Sequence, residues 1–280
     1  MTNLSKESIQ ALCRQIGFYP RRSSGQNFLF DQEIIQKILD ESRLSKEDEI
    51  LEIGPGFGFL TERIVAQVKK LVAVELDRRL AGFLKNKFSA SKNTEVIQAD
   101  IFKISLKDYF NDKDYKLIAN PPYNITSLVL RNFLTQPPRP KEMLLLVQKE
   151  VAERICALPG EMSLLSLVCQ YYSSPEIIKV IGRENFWPEP GVDTCLISFK
   201  KIGARINTVE EERAFIKLIK VGFSAKRKKL TNNLKNGLGI SAEISEKILK
   251  KQNLNPQIRP QDVSLENWLV LSKHFFDILI

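Results

Sequence analysis

Residues 49–61, EILEIGPGFGFLT, constrain this chain more than any other stretch. A short apolar run over 50–53 ends in Gly54-Pro55-Gly56-Phe57-Gly58, and a helical pattern follows to about Val68. This order reads as strand, tight turn and helix, the opening unit of a parallel α/β sheet. The glycines permit positive φ and leave no side chain between the backbone and a ligand. The next apolar run, 71–74, ends in Glu75, 21 residues after Gly54. In nucleotide-binding α/β folds an acid at the tip of the second strand can hydrogen-bond both hydroxyls of a ribose.

Two cofactor classes use such a turn. A dinucleotide fingerprint needs a third glycine at position 59, where this chain has Phe59. The pattern here is G-x-G-x-G preceded by an acid, Glu52, and it looks like the S-adenosylmethionine (SAM) loop of class I methyltransferases. On this stretch alone a dinucleotide site and a turn without ligand stay open.

Length and composition narrow the class. The 280 residues leave room for one large domain and a small one, and 43% hydrophobic content supports a filled core. No apolar run approaches a membrane span, and the start, MTNLSKESIQ, is polar, so a cytoplasmic protein is expected. Cys13, Cys156, Cys169 and Cys195 form no C-x-x-C pair; reduced core thiols are expected, with no disulfide and no metal site. The one histidine, His274, makes catalysis by a histidine base improbable. From Lys201 onward there are 15 Lys and Arg against 8 Asp and Glu, whereas the first 200 residues hold 27 against 25. A basic C-terminal segment beside a near-neutral domain suggests a polyanionic partner.

Along the chain, 5–16 reads as a short helix. The segment 18–29 has no periodicity and mixes Arg21, Arg22, Gly25, Gln26 and Asn27 with aromatics. It suits a lid over a nucleotide, with Gln26 and Asn27 reaching polar groups and Phe28 and Leu29 covering apolar ones. Asp31 caps a helix carrying Ile34, Ile35, Ile38 and Leu39. A helix over 78–88 and a strand over 95–98 lead to Asp100, an acid placed either to cap a helix or to accept from an adenine amino group. A strand over 116–119 runs into Asn120-Pro121-Pro122-Tyr123. Further strands are expected over 141–147 and 195–199, and helices over 148–154 and 160–172. After Gly203 the composition shifts to helices over 209–223, 241–252 and 264–279. The run Lys226-Arg227-Lys228-Lys229, with amides just after it, suits phosphate contacts. The expected domains are 1–203 and 204–280.

The residues 120–123 carry the most specific chemistry. An Asn-Pro-Pro-Tyr turn at the end of the fourth strand looks like the motif of methyltransferases that modify exocyclic amino groups. The N6 of adenine is a poor nucleophile because its lone pair is delocalised into the ring. The Asn120 side-chain oxygen and the Pro121 carbonyl can each accept one N–H and favour a pyramidal nitrogen. Two prolines hold that backbone rigid, and Tyr123 offers a face for an unstacked base. Phe186, in a run with two prolines, suggests a loop presenting an aromatic opposite Tyr123.

Six runs occur in order: QNFL at 26–29, EIGPGFGFLT at 52–61, VELD at 74–77, NPPYNI at 120–125, VQKEVAERI at 147–155 and F-x-P-x-P-x-V-D at 186–193. Together they resemble the KsgA-type small-subunit ribosomal RNA adenine N6,N6-dimethyltransferases, over roughly 18 to the C-terminus. The resemblance implies a class I SAM-dependent, Rossmann-like methyltransferase domain with a small all-helical C-terminal domain. It implies that Asn27, Leu29, Gly54, Glu75, Asp100 and Asn120 line the SAM site, and that Tyr123 and Phe186 sandwich the target base. Gly191 departs from the Lys or Pro expected there. The implied activity is dimethylation of two adjacent adenosines in the 3′-terminal hairpin loop of small-subunit rRNA during subunit assembly, by a monomer. The rivals are an Erm-type large-subunit rRNA methyltransferase and a non-catalytic assembly factor of the same fold. VQKEVAERI and KRKKLTNNL favour the small-subunit type, and the intact Glu75, Asp100 and NPPY favour an enzyme. A DNA adenine methyltransferase would need a target-recognition domain that is not evident.

Overall fold

The computed structural model describes residues 4–20, 25–110, 114–206 and 208–280. In chain order the elements begin with α1 (Lys6–Ile16), β1 (Phe28–Leu29), α2 (Gln32–Ser42), β2 (Glu49–Ile53), α3 (Phe59–Val65), β3 (Lys70–Glu75), α4 (Arg78–Lys87), β4 (Thr94–Gln98), α5 (Lys107–Phe110), β5 (Lys116–Ala119), α6 (Thr126–Thr135), β6 (Glu142–Gln148) and α7 (Lys149–Ile155). Later come α8 (Leu164–Tyr172), β7 (Ser174–Ile181), β8 (Phe186–Trp187) and β9 (Thr194–Lys200). Five helices end the chain: α9 (Val209–Gly222), α10 (Leu230–Leu238), α11 (Ala242–Lys251), α12 (Leu265–His274) and α13 (Phe276–Leu279).

Seven strands form one sheet in the order β4-β3-β2-β5-β6-β9-β7. The first five are parallel, and β9 runs antiparallel to β6. Strands β2 and β5 are buried along their whole length, as a parallel sheet covered on both faces requires. Helix α2 starts where the Asp31 carboxylate accepts from Ile34 N at 2.9 Å, and Ile34, Ile35, Ile38 and Leu39 turn one face into the core with Ile50, Leu71 and Ile118. Register then decides where the site is. Ile53 lies opposite both Val74 and Ala119, so Gly54, Glu75 and Asn120 emerge together at the carboxyl edge. The order reverses between β2 and β5, and ligands of open α/β sheets bind at such a reversal.

The chain divides into two compact units: Met1–Ala152 with Glu176–Ile202, and Glu153–Pro175 with Gly203–Ile280. The expected cut at 203 therefore meets a second crossing, because α8 packs with the C-terminal helices. Tyr171 stacks on Phe215 of α9 at 4.4 Å between ring centroids, and Trp268 of α12 is fully buried. Gly222 lets α9 approach that indole: a Cβ there would sit 2.2 Å from it. The single helix expected over 264–279 is broken at Phe275 into α12 and α13. Among the described residues no helix is long and apolar enough to cross a membrane.

Candidate active site

The glycine turn and the Asn-Pro-Pro-Tyr turn lie against each other. Gly54 has φ +69°, and a Cβ on it would stand 3.5 Å from the Asn120 carbonyl oxygen and 3.9 Å from Pro122 Cδ. Gly56, at φ +60°, presses on Phe28, whose ring atoms a Cβ would meet at 2.9 Å. Phe28 belongs to an aromatic cluster with Phe18 and Phe57 that backs the turn.

Beside these turns is a cavity of about 480 Å³, within the range of about 300–1,000 Å³ typical of small-molecule sites. Every residue expected to line a SAM site lines it: Asn27, Leu29, Gly54, Glu75, Asp100 and Asn120. A larger open groove of about 1590 Å³ along α1 and α4 shares Glu75 and Leu76 with it but lacks Gly54, Asp100 and Asn120. The smaller cavity is the one into which the strand ends converge.

Glu75 is fixed at the tip of β3 by two backbone donors. Gly56 N gives to Oε2 at 3.2 Å and Asp77 N to Oε1 at 2.9 Å. Burial pushes its carboxyl up to about 7 against these hydrogen bonds. Glu52 is more deeply enclosed. Its Oε2 is buried without a hydrogen-bond partner, and burial, with the Glu75 charge adding, pushes it up to about 8. Asp100 acts as a cap, its Oδ1 accepting from Phe102 N at 3.1 Å at the turn Ile101–Lys103, and the residue also lines the cavity.

Asn120 is oriented by the residue just before β1. Its Nδ2 donates to the Asn27 carbonyl at 3.1 Å, which leaves Oδ1 as an acceptor. Gly25 lies close against the Asn-Pro-Pro-Tyr turn, since a Cβ there would lie 3.2 Å from Tyr123 N. Arg21 and Arg22 lie outside the described residues.

Pro121, Tyr123 and Phe186 stand outside the cavity lining. Phe186 is only 2% exposed. Strand β8 pairs antiparallel with β1, Leu29 opposite Phe186, so this ring joins the core around Leu29, Ile35 and Ile38. The expected rigid loop thus begins as a two-residue strand, and Phe186 joins the core instead of standing open to a base. The Tyr123 hydroxyl shares a hydrogen bond of 2.5 Å with the Thr194 hydroxyl, and burial raises the phenol above its ordinary value. The structure adds cavity residues that the sequence reading left out. Leu76 is 68% exposed at the mouth, and Asn124 and Leu128 follow the motif into α6. A large apolar residue directly after the strand-tip acid, and an amide directly after Tyr123, were the available signals.

A family model described as "Ribosomal RNA adenine dimethylase" matches residues 17–275. The chain belongs to that family. A "Ribosomal RNA small subunit methyltransferase A" of Clostridioides difficile is 38% identical over 277 residues, 96% of this chain and 94% of the relative. One of Dehalococcoides mccartyi is 38% identical over 252 residues, covering 90% and 87%. Among solved structures, a dimethyladenosine transferase from Plasmodium falciparum superposes with a TM-score of 0.74 at 24% identity, covering 90% of this chain and 98% of that one. The 23S rRNA methyltransferase ErmE gives 0.72 at 23%, covering 90% and 99%. At these identities the two structures share the fold with this chain and do not separate its substrates. The fold is the Rossmann-like fold of SAM-dependent methyltransferases, with C-terminal helices.

Proposed function

We propose that this chain dimethylates the N6 amino groups of two adjacent adenosines in the 3′-terminal hairpin loop of small-subunit rRNA. It acts in the cytoplasm, as a monomer, on the immature subunit. Its cofactor is SAM, which supplies an electrophilic methyl group on a sulfonium sulfur. Asn27, Leu29, Gly54, Glu75, Asp100 and Asn120 would hold it. The fit rests on a buried carboxylate at the strand tip, on glycines at positive φ, one with its Cβ position closed by Phe28, and on a cavity of the right size.

One observation carries the chemistry. With Nδ2 given to Asn27, Asn120 keeps its oxygen for one N–H of the target amine, and the Pro121 carbonyl can take the other. The nitrogen is then pyramidal, with its lone pair free. Positioning and electrostatics supply the acceleration. The product ammonium is acidic enough to lose its proton to water, so no histidine is needed. The small-subunit substrate, rather than the large-subunit one, is supported by the names of relatives that cover nearly the whole chain.

The test is to incubate the protein with labelled SAM and small-subunit particles from a strain lacking the modification, then map the methylated nucleotides by mass spectrometry. N6,N6-dimethyladenosine at two neighbouring positions is expected. Asn120→Ala should lower transfer on the order of 100-fold, the scale for removing one polar contact to a reacting centre. Label confined to large-subunit RNA, or on a cytosine, would overturn the assignment.

A further inference from the structure

The family resemblance gives Tyr123 the role of a face for the target base, yet its hydroxyl, which stacking does not require, is engaged. Its partner is Thr194 Oγ1 at 2.5 Å, on a residue with no exposed surface. Thr194 is the first residue of β9 and pairs with Gln148 at the end of β6. That register sets it at the carboxyl edge of β6, the edge from which the site is built. Its neighbour Asp193 is tied twice. Asp193 Oδ1 accepts from Arg183 N at 3.3 Å, at the turn leading to Phe186, and its carbonyl accepts from Lys149 N at 2.9 Å. Two consecutive residues therefore tie two segments: Asp193 the turn that precedes β8, Thr194 the ring of Tyr123.

We propose that Thr194 is a positioning residue for methyl transfer, its buried hydroxyl fixing the Tyr123 ring in the orientation that receives the target base. This rests on the functional reading above. The physical reason is the contrast between the two ends of Tyr123. Two prolines fix its backbone, but χ1 and χ2 leave the ring free to swing unless something holds its far end. Thr194 supplies that hold from a rigid sheet rather than from a loop. The buried hydroxyl has no water to fall back on, so the bond is lost only at the cost of an unsatisfied polar group.

The test uses the full-length protein with Thr194→Val, Thr194→Ser, Tyr123→Phe and the double variant Thr194→Val/Tyr123→Phe. Thr194→Val keeps the shape and removes the hydroxyl. Its kcat on small-subunit particles should fall about tenfold, the factor that corresponds to one hydrogen bond's net contribution, with KM for RNA and the SAM affinity unchanged. Thr194→Ser should restore kcat. The double variant should lose no more than the worse single one, because both remove the same bond. A second measurement needs no substrate: 13C relaxation of the Tyr123 ring should show a rigid ring in the parent and in Thr194→Ser, and a mobile one in Thr194→Val. Parent-level kcat in Thr194→Val, multiplied losses in the double variant, or a ring equally rigid in Thr194→Val would each overturn the proposal. A parent protein that methylates no rRNA would instead overturn the functional reading, while the ring measurement would still decide whether Thr194 holds Tyr123.

Discussion

Glu52 and Glu75 put two carboxyls in one closed space, and the more enclosed one sets a pH dependence. Glu52 is buried with Oε2 unpartnered, and its pKa rises from an ordinary 4.5 to about 8. A folded-state pKa above the unfolded one means that the folded protein holds an extra proton between the two values. Stability is therefore greatest at the acid side of that window, falls as pH rises from about 4.5 to about 8, and levels off above it. Glu75, raised to about 7, adds a slope that ends sooner. Glu52→Gln should remove the decline between pH 7 and 8 and Glu52's own share of it between 4.5 and 7, leaving the Glu75 part. Urea denaturation at pH 5, 7 and 8.5 measures this, and a variant that kept the whole decline would show that Glu52 is ionised when folded. At this scale the sequence was legible where one residue type has one use, as in the Gly54 turn and the strand-tip acid Glu75. It was not legible where use depends on a distant partner: nothing local marks Asn27 as the carbonyl that orients Asn120, or Thr194 as the partner of Tyr123.

The elements themselves show the same division between local and distant causes. Strands β2, β3 and β5 could be read because each is an apolar run ending at a turn or an acid, and α2 because Asp31 caps a periodic face. Strand β8 has only two residues and exists because β1 pairs with it, a contact across more than half the chain. Strand β7 starts with Ser174-Pro175, which reads as a break, and its partly exposed edge lacks a clean apolar run. At the opposite edge of the sheet from the site, one buried acid ties three elements. Asp48, just before β2, accepts from Lys116 Nζ of β5 at 2.9 Å, from Lys141 Nζ ahead of β6 at 3.0 Å and from Ser45 N at 2.8 Å. Burial alone would raise its pKa, but these hydrogen bonds outweigh burial and hold it at about 2. A depressed carboxylate stabilises the fold above its ordinary pKa of 3.8, and that contribution is lost as pH falls towards 2. Asp48→Asn leaves the Lys116 ammonium buried without its counter-charge and should cost about 3 kcal/mol at neutral pH. The loss should shrink as the parent is acidified through this window. An equal loss at pH 7 and pH 2.5 in thermal melts would show that the ion pairs do not matter.

For the whole molecule, the informative quantity is where positive charge collects along the chain. The segment from Lys201 onward carries 15 Lys and Arg against 8 Asp and Glu, and Lys226, Arg227, Lys228 and Lys229 are all exposed. The amides that follow do not all serve the same end. Asn233 is buried, and its Nδ2 donates to the carbonyls of Gly222 at 2.6 Å and Ala225 at 3.1 Å. It pins the base of the segment, so the four cations are presented by a fixed turn. A polyanion bound through them releases counterions, and each phosphate contact adds about 0.7 to 0.9 to the slope of log affinity against log salt. Changing all four cations to Gln should therefore weaken binding to small-subunit rRNA and flatten that slope by up to about 3.6. SAM affinity should not change, because every residue lining the cavity belongs to the first unit. Filter binding across a salt series, beside calorimetry with SAM, separates the two effects. A parent-like slope in the quadruple variant would mean that these cations make no phosphate contacts. A loss of SAM affinity alongside a parent-like slope would mean that the substitutions had damaged the fold rather than the RNA surface.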